Sequence, residues 1–169
     1  MKKLLFALIL VVSSSAAMAG FNSWELTEVR DTNHVPVGYV YSINSTGTAS
    51  FGDKTTKSIT SLRLICSLKG GNPIFAIYWN KRIGPNTLVP TVTVDGTQPV
   101  LDEPTVWVRD GGKLVYRDLY KSQNLLKAAK TGKELSFEIR DDMSVFYKTT
   151  FLLSGFDYTD FNTKCKTQL

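Results

Sequence analysis

Apolar and polar residues alternate along most of this chain with a period of two, the spacing of strands that bury one face. Trp24, Leu26 and Glu28 alternate with Glu25, Thr27 and Val29. A turn at Asp31-Thr32-Asn33 leads into Val37 to Ile43, rich in Val and Tyr, so the two segments read as a hairpin. Asn44 to Lys57 holds two Gly and many Thr and Ser and reads as a long loop, with Asn44-Ser45-Thr46 as a turn by composition. The clearest alternation follows. Leu62, Leu64, Cys66 and Leu68 share one face against Ser61, Arg63, Ile65 and Ser67, which points Cys66 inward with the leucines. Gly70-Gly71-Asn72-Pro73 is a turn, and Ile74 to Trp79 returns as an apolar, aromatic strand.

Pro85, Pro90, Pro99 and Pro104 divide the next stretch, leaving short strands at Thr91 to Val94 and Thr105 to Arg109. Asp110-Gly111-Gly112 turns the chain into Lys113 to Arg117. One segment departs from period two: Leu119 to Ala129 puts Leu125, Leu126 and Ala129 on one stripe, with Ser122 as N-cap and Gly132 where a helix should stop. Leu135, Phe137 and Ile139 then alternate with Ser136, Glu138 and Arg140; Asp141-Asp142 turns, and Val145 to Leu153 completes a hairpin. Phe156 to Cys165 forms a short final segment with one helical turn. About eight or nine short strands and one helix predict a mostly β fold, an antiparallel β-sandwich with one short helix. A closed barrel is the alternative. No internal repeat is evident.

The first residues follow a different pattern. Lys2 and Lys3 precede an apolar run from Leu4 to Val12, and Ala17-Met18-Ala19 has the small-x-small form of a cleavage site. The run is shorter than the roughly 20 residues that span a bilayer. The chain is therefore expected to be exported, with residues 1–19 a signal peptide and residues 20–169 a single domain, free in the periplasm or secreted and without a stable membrane anchor. Loss of Lys2 and Lys3 leaves 18 basic side chains against 15 acids, a net charge of +3. Lys and Arg are dispersed, which argues against nucleic acid as a partner.

The only two cysteines, Cys66 and Cys165, are expected to form a disulfide in an oxidising compartment. In the chain-entropy model, closing a loop of roughly 100 residues contributes about 4.7 kcal/mol.

Candidate chemistry is sparse. His34, the single histidine, lies in a turn beside Asn33. A general-base role would need a nucleophile in reach and an orienting carboxylate, no Gly-x-Ser-x-Gly surrounds any serine, and His34 reads as a surface turn residue. No zinc set can be assembled, and Asp102-Glu103 and Asp141-Asp142 lack calcium-loop spacing, so no metal, cofactor or catalytic residue is expected. Gly70-Gly71 and Gly111-Gly112 are hairpin turns, since no helix start follows them. Trp107 and Arg109 share a face of a proline-bounded strand, a pairing frequent at binding surfaces, and form the candidate interaction surface. The alternative is a core Trp107 whose neighbouring Arg reaches to solvent.

Several of these segments together resemble the VasI/TagO-like periplasmic proteins associated with type VI secretion. They are Trp24 to Asp31, Ser61-Leu62-Arg63-Leu64-Ile65-Cys66, Ile77-Tyr78-Trp79, Val106 to Arg109, the helix before Leu135 to Arg140, and the ending Phe151-Leu152-Leu153-Ser154-Gly155 with Cys165. Arg63 and Cys66 stand three apart where that pattern has them adjacent, and Asp31 is followed by Thr32-Asn33 where it has paired acids. The resemblance implies a non-enzymatic envelope accessory acting through contacts with another envelope or secreted protein. Two other classes remain: an inhibitor or immunity protein against a cell-wall hydrolase, and a domain that binds or cleaves peptidoglycan with a carboxylate pair.

Overall fold

The computed structural model describes residues 23–69, 73–79, 90–97, 108–110, 114–118, 123–141 and 143–166. The expected signal peptide and its cleavage site lie outside these residues. Period-two segments become strands: β1 (Glu25–Arg30), β2 (Pro36–Phe51), β3 (Lys54–Ser67), β4 (Ile74–Trp79), β5 (Thr91–Val94), β6 (Val108–Asp110) and β7 (Leu114–Asp118). Helix α1 (Gln123–Thr131) precedes β8 (Glu134–Arg140) and β9 (Phe146–Leu152), and α2 (Tyr158–Cys165) ends the described chain. Leu125 and Ala129 of α1 are buried, as their spacing requires, and Gly132 N closes the helix on Ala128 O at 2.9 Å. Ser122, the expected N-cap, lies outside the described residues.

The fold is mostly β and antiparallel. The strands form one sheet in the order β5-β8-β9-β2-β3-β4-β7-β6, with β1 added to β2, and the sheet curls into a half-barrel. The two facing surfaces of the expected sandwich are thus two arms of one sheet. β3 and β9 are not neighbours in it, yet Thr60 and Thr149 share a buried hydroxyl hydrogen bond of 2.6 Å across the inside.

The reading of 44–57 as a loop is overturned. β2 and β3 form a hairpin paired without a break from Gly38–Ser67 to Phe51–Lys54. The hydroxyl-rich composition suggested a loop, but Thr suits a pleated strand and its hydroxyl can pair across it, as Ser50 and Thr55 do at 3.0 Å. Of the two glycines, Gly52 makes the turn at φ 54°. Gly47 serves packing. One edge of β2 carries β1 along its first half and β9 only at Thr48–Ser50, so β2 passes from one arm to the other. Trp79 lies against the Gly47 backbone at this passage. A Cβ there would sit 2.7 Å from Trp79 Cζ2 and 2.5 Å from Thr60 Cγ2. Trp79 is fully buried and meets Tyr147 edge-on at 5.5 Å and Phe137 at 6.5 Å, so one side chain from β4 holds the opposite arm. Its Nε1 has no acceptor among the described residues, so its contribution is packing.

The concave face is the core: Ile43, Leu62, Leu64, Phe75, Ile77, Val92, Leu135, Phe137, Ile139 and Phe151 are all buried on it. The opposite face of β3–β4 is not uniformly wet, contrary to the strict alternation expected. Ser61 and Ala76 are buried there, beside Arg63, which stacks on Tyr78 at 4.7 Å. Burial lowers the Arg63 guanidinium from its ordinary value.

The C-terminal segment is longer than the single turn expected. α2 has eight residues, N-capped by Asp157, whose carboxylate accepts from Asp160 N at 2.9 Å. Cys165 at its end is bonded to Cys66 on β3, with a Cα separation of 5.7 Å.

Two stability outcomes follow from this packing. Gly47→Ala should lower stability by about 1–3 kcal/mol, because backbone and indole must separate to admit one methyl; denaturant unfolding measures it, and an unchanged midpoint would remove Gly47 from this role. Reduction of Cys66–Cys165 should lower the melting temperature sharply, since the bond closes a long loop. An unchanged melting curve with two titratable thiols would contradict that assignment.

Candidate functional site

Of the residues singled out in the sequence, the described ones, His34, Arg109 and Asp141, lie in separate elements. His34 is exposed in the β1–β2 turn at φ 61°, its backbone N–H on Asp31 O at 3.0 Å. Trp107 lies outside the described residues, as do Asp102, Glu103 and Asp142. Arg109 sits in β6 opposite Val115 of β7, at the end of the sheet order, where β6 pairs with one described neighbour only. Its backbone therefore borders an edge open among the described residues.

Several of the described carboxylates are built into the framework. Asp31 and Asp141 make the same turn twice. Asp31 Oδ1 accepts from Asn33 N at 2.9 Å and Val35 N at 3.0 Å; Asp141 Oδ1 accepts from Met143 N at 3.0 Å and Val145 N at 2.8 Å. In each, the acid's N–H bonds the carbonyl four residues on, and the residue before the valine, His34 or Ser144, adopts positive φ. The shared signal is an acid followed four residues later by Val, readable as Asp31…Val35 and Asp141…Val145 but visible as a repeat only once the turns are seen. Asp141 is buried and additionally accepts from Tyr147 OH at 3.1 Å. Burial, then the Asp141 charge and hydrogen bond, push the Tyr147 phenol up to about 12.

Other acids are committed in the same way. Asp95 opens a tight turn at φ 50° and accepts from Lys133 N at 3.0 Å and Glu134 N at 2.9 Å, fastening the end of α1 to the β5 turn. A shallow open depression beside it, lined by Val94, Thr97, Ala128 and Gly132, therefore presents a carboxylate already in use. Asp160 receives Tyr41 OH at 2.6 Å and pairs with Lys164, and these two partners, Lys164 first, hold its carboxyl below the usual range. Glu28 pairs with Arg30, and Glu138 with Lys148 at 2.6 Å. Among the described residues no three His, Cys, Asp or Glu gather as metal ligands.

No family profile, curated protein or solved structure matches this chain.

Aromatic residues concentrate where α2 meets the sheet. Phe156 lies 4.6 Å from Trp24, 5.6 Å from Tyr41, 5.7 Å from Phe161 and 4.4 Å from Tyr158, centroid to centroid. Burial, with Asp160 beside it, raises the Tyr41 phenol; burial alone raises that of Tyr158. This cluster and the disulfide fix α2 over the β2–β3 surface.

A different surface stands at the pole where the β2–β3 and β8–β9 hairpins turn. Phe51 is 60% exposed, Met143 59% and Phe146 39%. Register sets Phe146 opposite Ser50 on β2 and Arg140 on β8, so both hairpin ends share this rim. Lys54, Lys57 and Arg140 surround it, all exposed.

The tyrosines make the fold sensitive to alkali. A phenol whose folded pKa exceeds its ordinary value of about 10 stabilises fully below that pH, and the contribution drains away as pH climbs through the folded value. Tyr147, Tyr41 and Tyr158 should therefore ionise only as the fold opens. Phenolate absorbance should show a late phase coincident with loss of near-ultraviolet circular dichroism, reduced in Tyr147→Phe. Ionisation of all phenols near pH 10 with the fold intact would contradict this.

Proposed function

We propose that this protein is an exported, non-enzymatic interaction protein of the cell envelope, an accessory of the kind its likeness to the type VI secretion-associated VasI/TagO-like proteins implies. The observation that carries the reading is the use to which the acids are put. Asp31, Asp95, Asp141, Asp157 and Asp160 spend their oxygens on backbone amides, Tyr41, Tyr147 and Lys164, so these carboxylates act as braces of turns and helix ends. The Cys66–Cys165 bond suits an oxidising compartment such as the periplasm. A framework fastened at so many points presents its edges and hairpin ends in fixed positions, which favours recognition. The β6 edge bearing Arg109 is the first place to seek the protein contact, because a terminal strand can pair with another chain.

The test is a pull-down with the tagged chain from Gly20 onward, using crosslinked envelope extract with purified sacculi in parallel. A specific protein partner, weakened by Arg109→Ala, is the expected result. Binding to sacculi alone, followed by wall digestion, would replace this reading with that of a wall-cleaving domain.

A further inference from the structure

We propose that the pole formed by the β2–β3 turn and the β8–β9 turn is a peripheral docking surface for an anionic phospholipid bilayer. Phe51 and Met143 are the most exposed large apolar side chains among the described residues, and Phe146 joins them at the same pole. They come from two separate hairpins. β3 pairs with β4 only from Thr60 onward, so Lys54 to Ile59 continue beyond β4 as an arm paired with β2, and Phe51 stands at its end. Exposed large apolar side chains gathered at one end of a well-packed framework, on both faces of the sheet, are a place to seek a contact surface.

The geometry favours a lipid surface over a folded protein. Along β2, Phe51 has the parity of Ala49 and Gly47, the core-facing positions; along β9, Phe146 alternates with the buried Tyr147 and Thr149. The two rings therefore leave the rim on opposite faces of the sheet. A protein partner would have to enclose the rim from both sides. A bilayer interface has no fixed shape and admits apolar tips to a depth of several ångströms, about 5–10 Å for surface-bound segments.

Charge points to the sign of the lipid. Lys54 and Lys57 on the arm and Arg140 at the base of the β8–β9 turn make no ion pair with described residues, while Lys148 is already taken by Glu138. Against these three cations stand Asp53 in the β2–β3 turn and, next to Met143 in sequence, Asp142. Apolar tips beside three cations against two acids carry a net positive charge of one, which complements a negatively charged headgroup layer. The proposal does not depend on which protein the β6 edge meets.

Co-sedimentation tests it, with the chain from Gly20 onward, which keeps every described residue. Vesicles of phosphatidylglycerol and phosphatidylcholine in equal parts should carry the protein down, and vesicles of phosphatidylcholine alone should do so far less. Phe51→Ser, Met143→Ser and Phe146→Ser combined should weaken binding by about tenfold or more. The Phe51→Ser, Met143→Ser pair should keep the melting temperature near that of the parent, because both side chains are mostly exposed, and should already weaken binding; Phe146, more than half covered, should add a modest loss of stability. Lys54→Gln, Lys57→Gln and Arg140→Gln combined should weaken it several-fold and flatten its salt dependence. Failure of the parent to sediment with anionic vesicles, or equal binding by the apolar triple variant, would overturn the proposal. So would a photocrosslinker at position 51 that captures an envelope protein in the absence of any vesicle binding, which would assign the rim to that protein.

Discussion

The passage of β2 beneath Trp79 is the constraint on which the rest of the structure depends. A single sheet with a hydrophobic face must bury that face, and this one does so by curling until one arm lies over the other. The curl needs a point where backbone and a large side chain come into contact. Gly47 supplies the backbone without a Cβ, and Trp79 supplies a ring broad enough to reach Tyr147 and Phe137 on the far arm. Around it the polar groups answer one another: Thr60 bonds Thr149 and the Ser45 carbonyl, and the Ser45 hydroxyl bonds the Thr150 carbonyl. Hydroxyls bridge the arms here because β2 is exchanging one neighbour for another and the backbone ladder is interrupted.

The curl leaves the concave face open near the first half of β2, and α2 closes it. The helix is short, with little stability of its own, so its position must come from outside. Phe161 is buried against Tyr41, Phe156 bridges Trp24 and Tyr158, Tyr41 donates to Asp160, and Cys165 reaches Cys66. The pairing register sets Tyr39 beside Cys66 and Tyr41 beside Leu64, so the strands that carry the disulfide also present the aromatic platform. Covalent and aromatic contacts thus act on the same surface.

Much of this was legible in the sequence where burial and period agreed. Leu62, Leu64 and Cys66, and Leu135, Phe137 and Ile139, face the core because alternation leaves them no other solution. The pairing of the two cysteines follows from their number and from the export expected of the first residues. Asn44 to Lys57 shows no clear alternation because its core-facing positions hold Ser45, Gly47 and Ala49 and Thr and Ser fill most of the others. A strand of this kind is held by its neighbours and not by its own pattern, so β2 and β3 extend each other into solvent. The repeated turn is hidden in the sequence because Asp31-Thr32-Asn33-His34-Val35 and Asp141-Asp142-Met143-Ser144-Val145 share only their first and last residues. What they share is a hydrogen-bond pattern, which fixes the acid and leaves the intervening side chains free to differ. Of the candidate surface, Arg109 lies on a strand that is an edge among the described residues, and its partnership with Trp107 lies beyond them.

That freedom in the turn residues separates framework from surface. In the β8–β9 turn the acid is buried and braced by Tyr147, while Met143, whose amide it holds, is turned outward. The β2–β3 arm has the same division: its backbone is paired up to the turn and Ser50 bonds Thr55, while Phe51 at its end is exposed. An exposed aromatic ring on a rigid hairpin adds little to folding, and water gains by its removal from solvent. Two such tips, held at one pole by paired strands and, in the β8–β9 turn, by the Asp141 brace, are placed to meet a surface without disturbing the core that carries them.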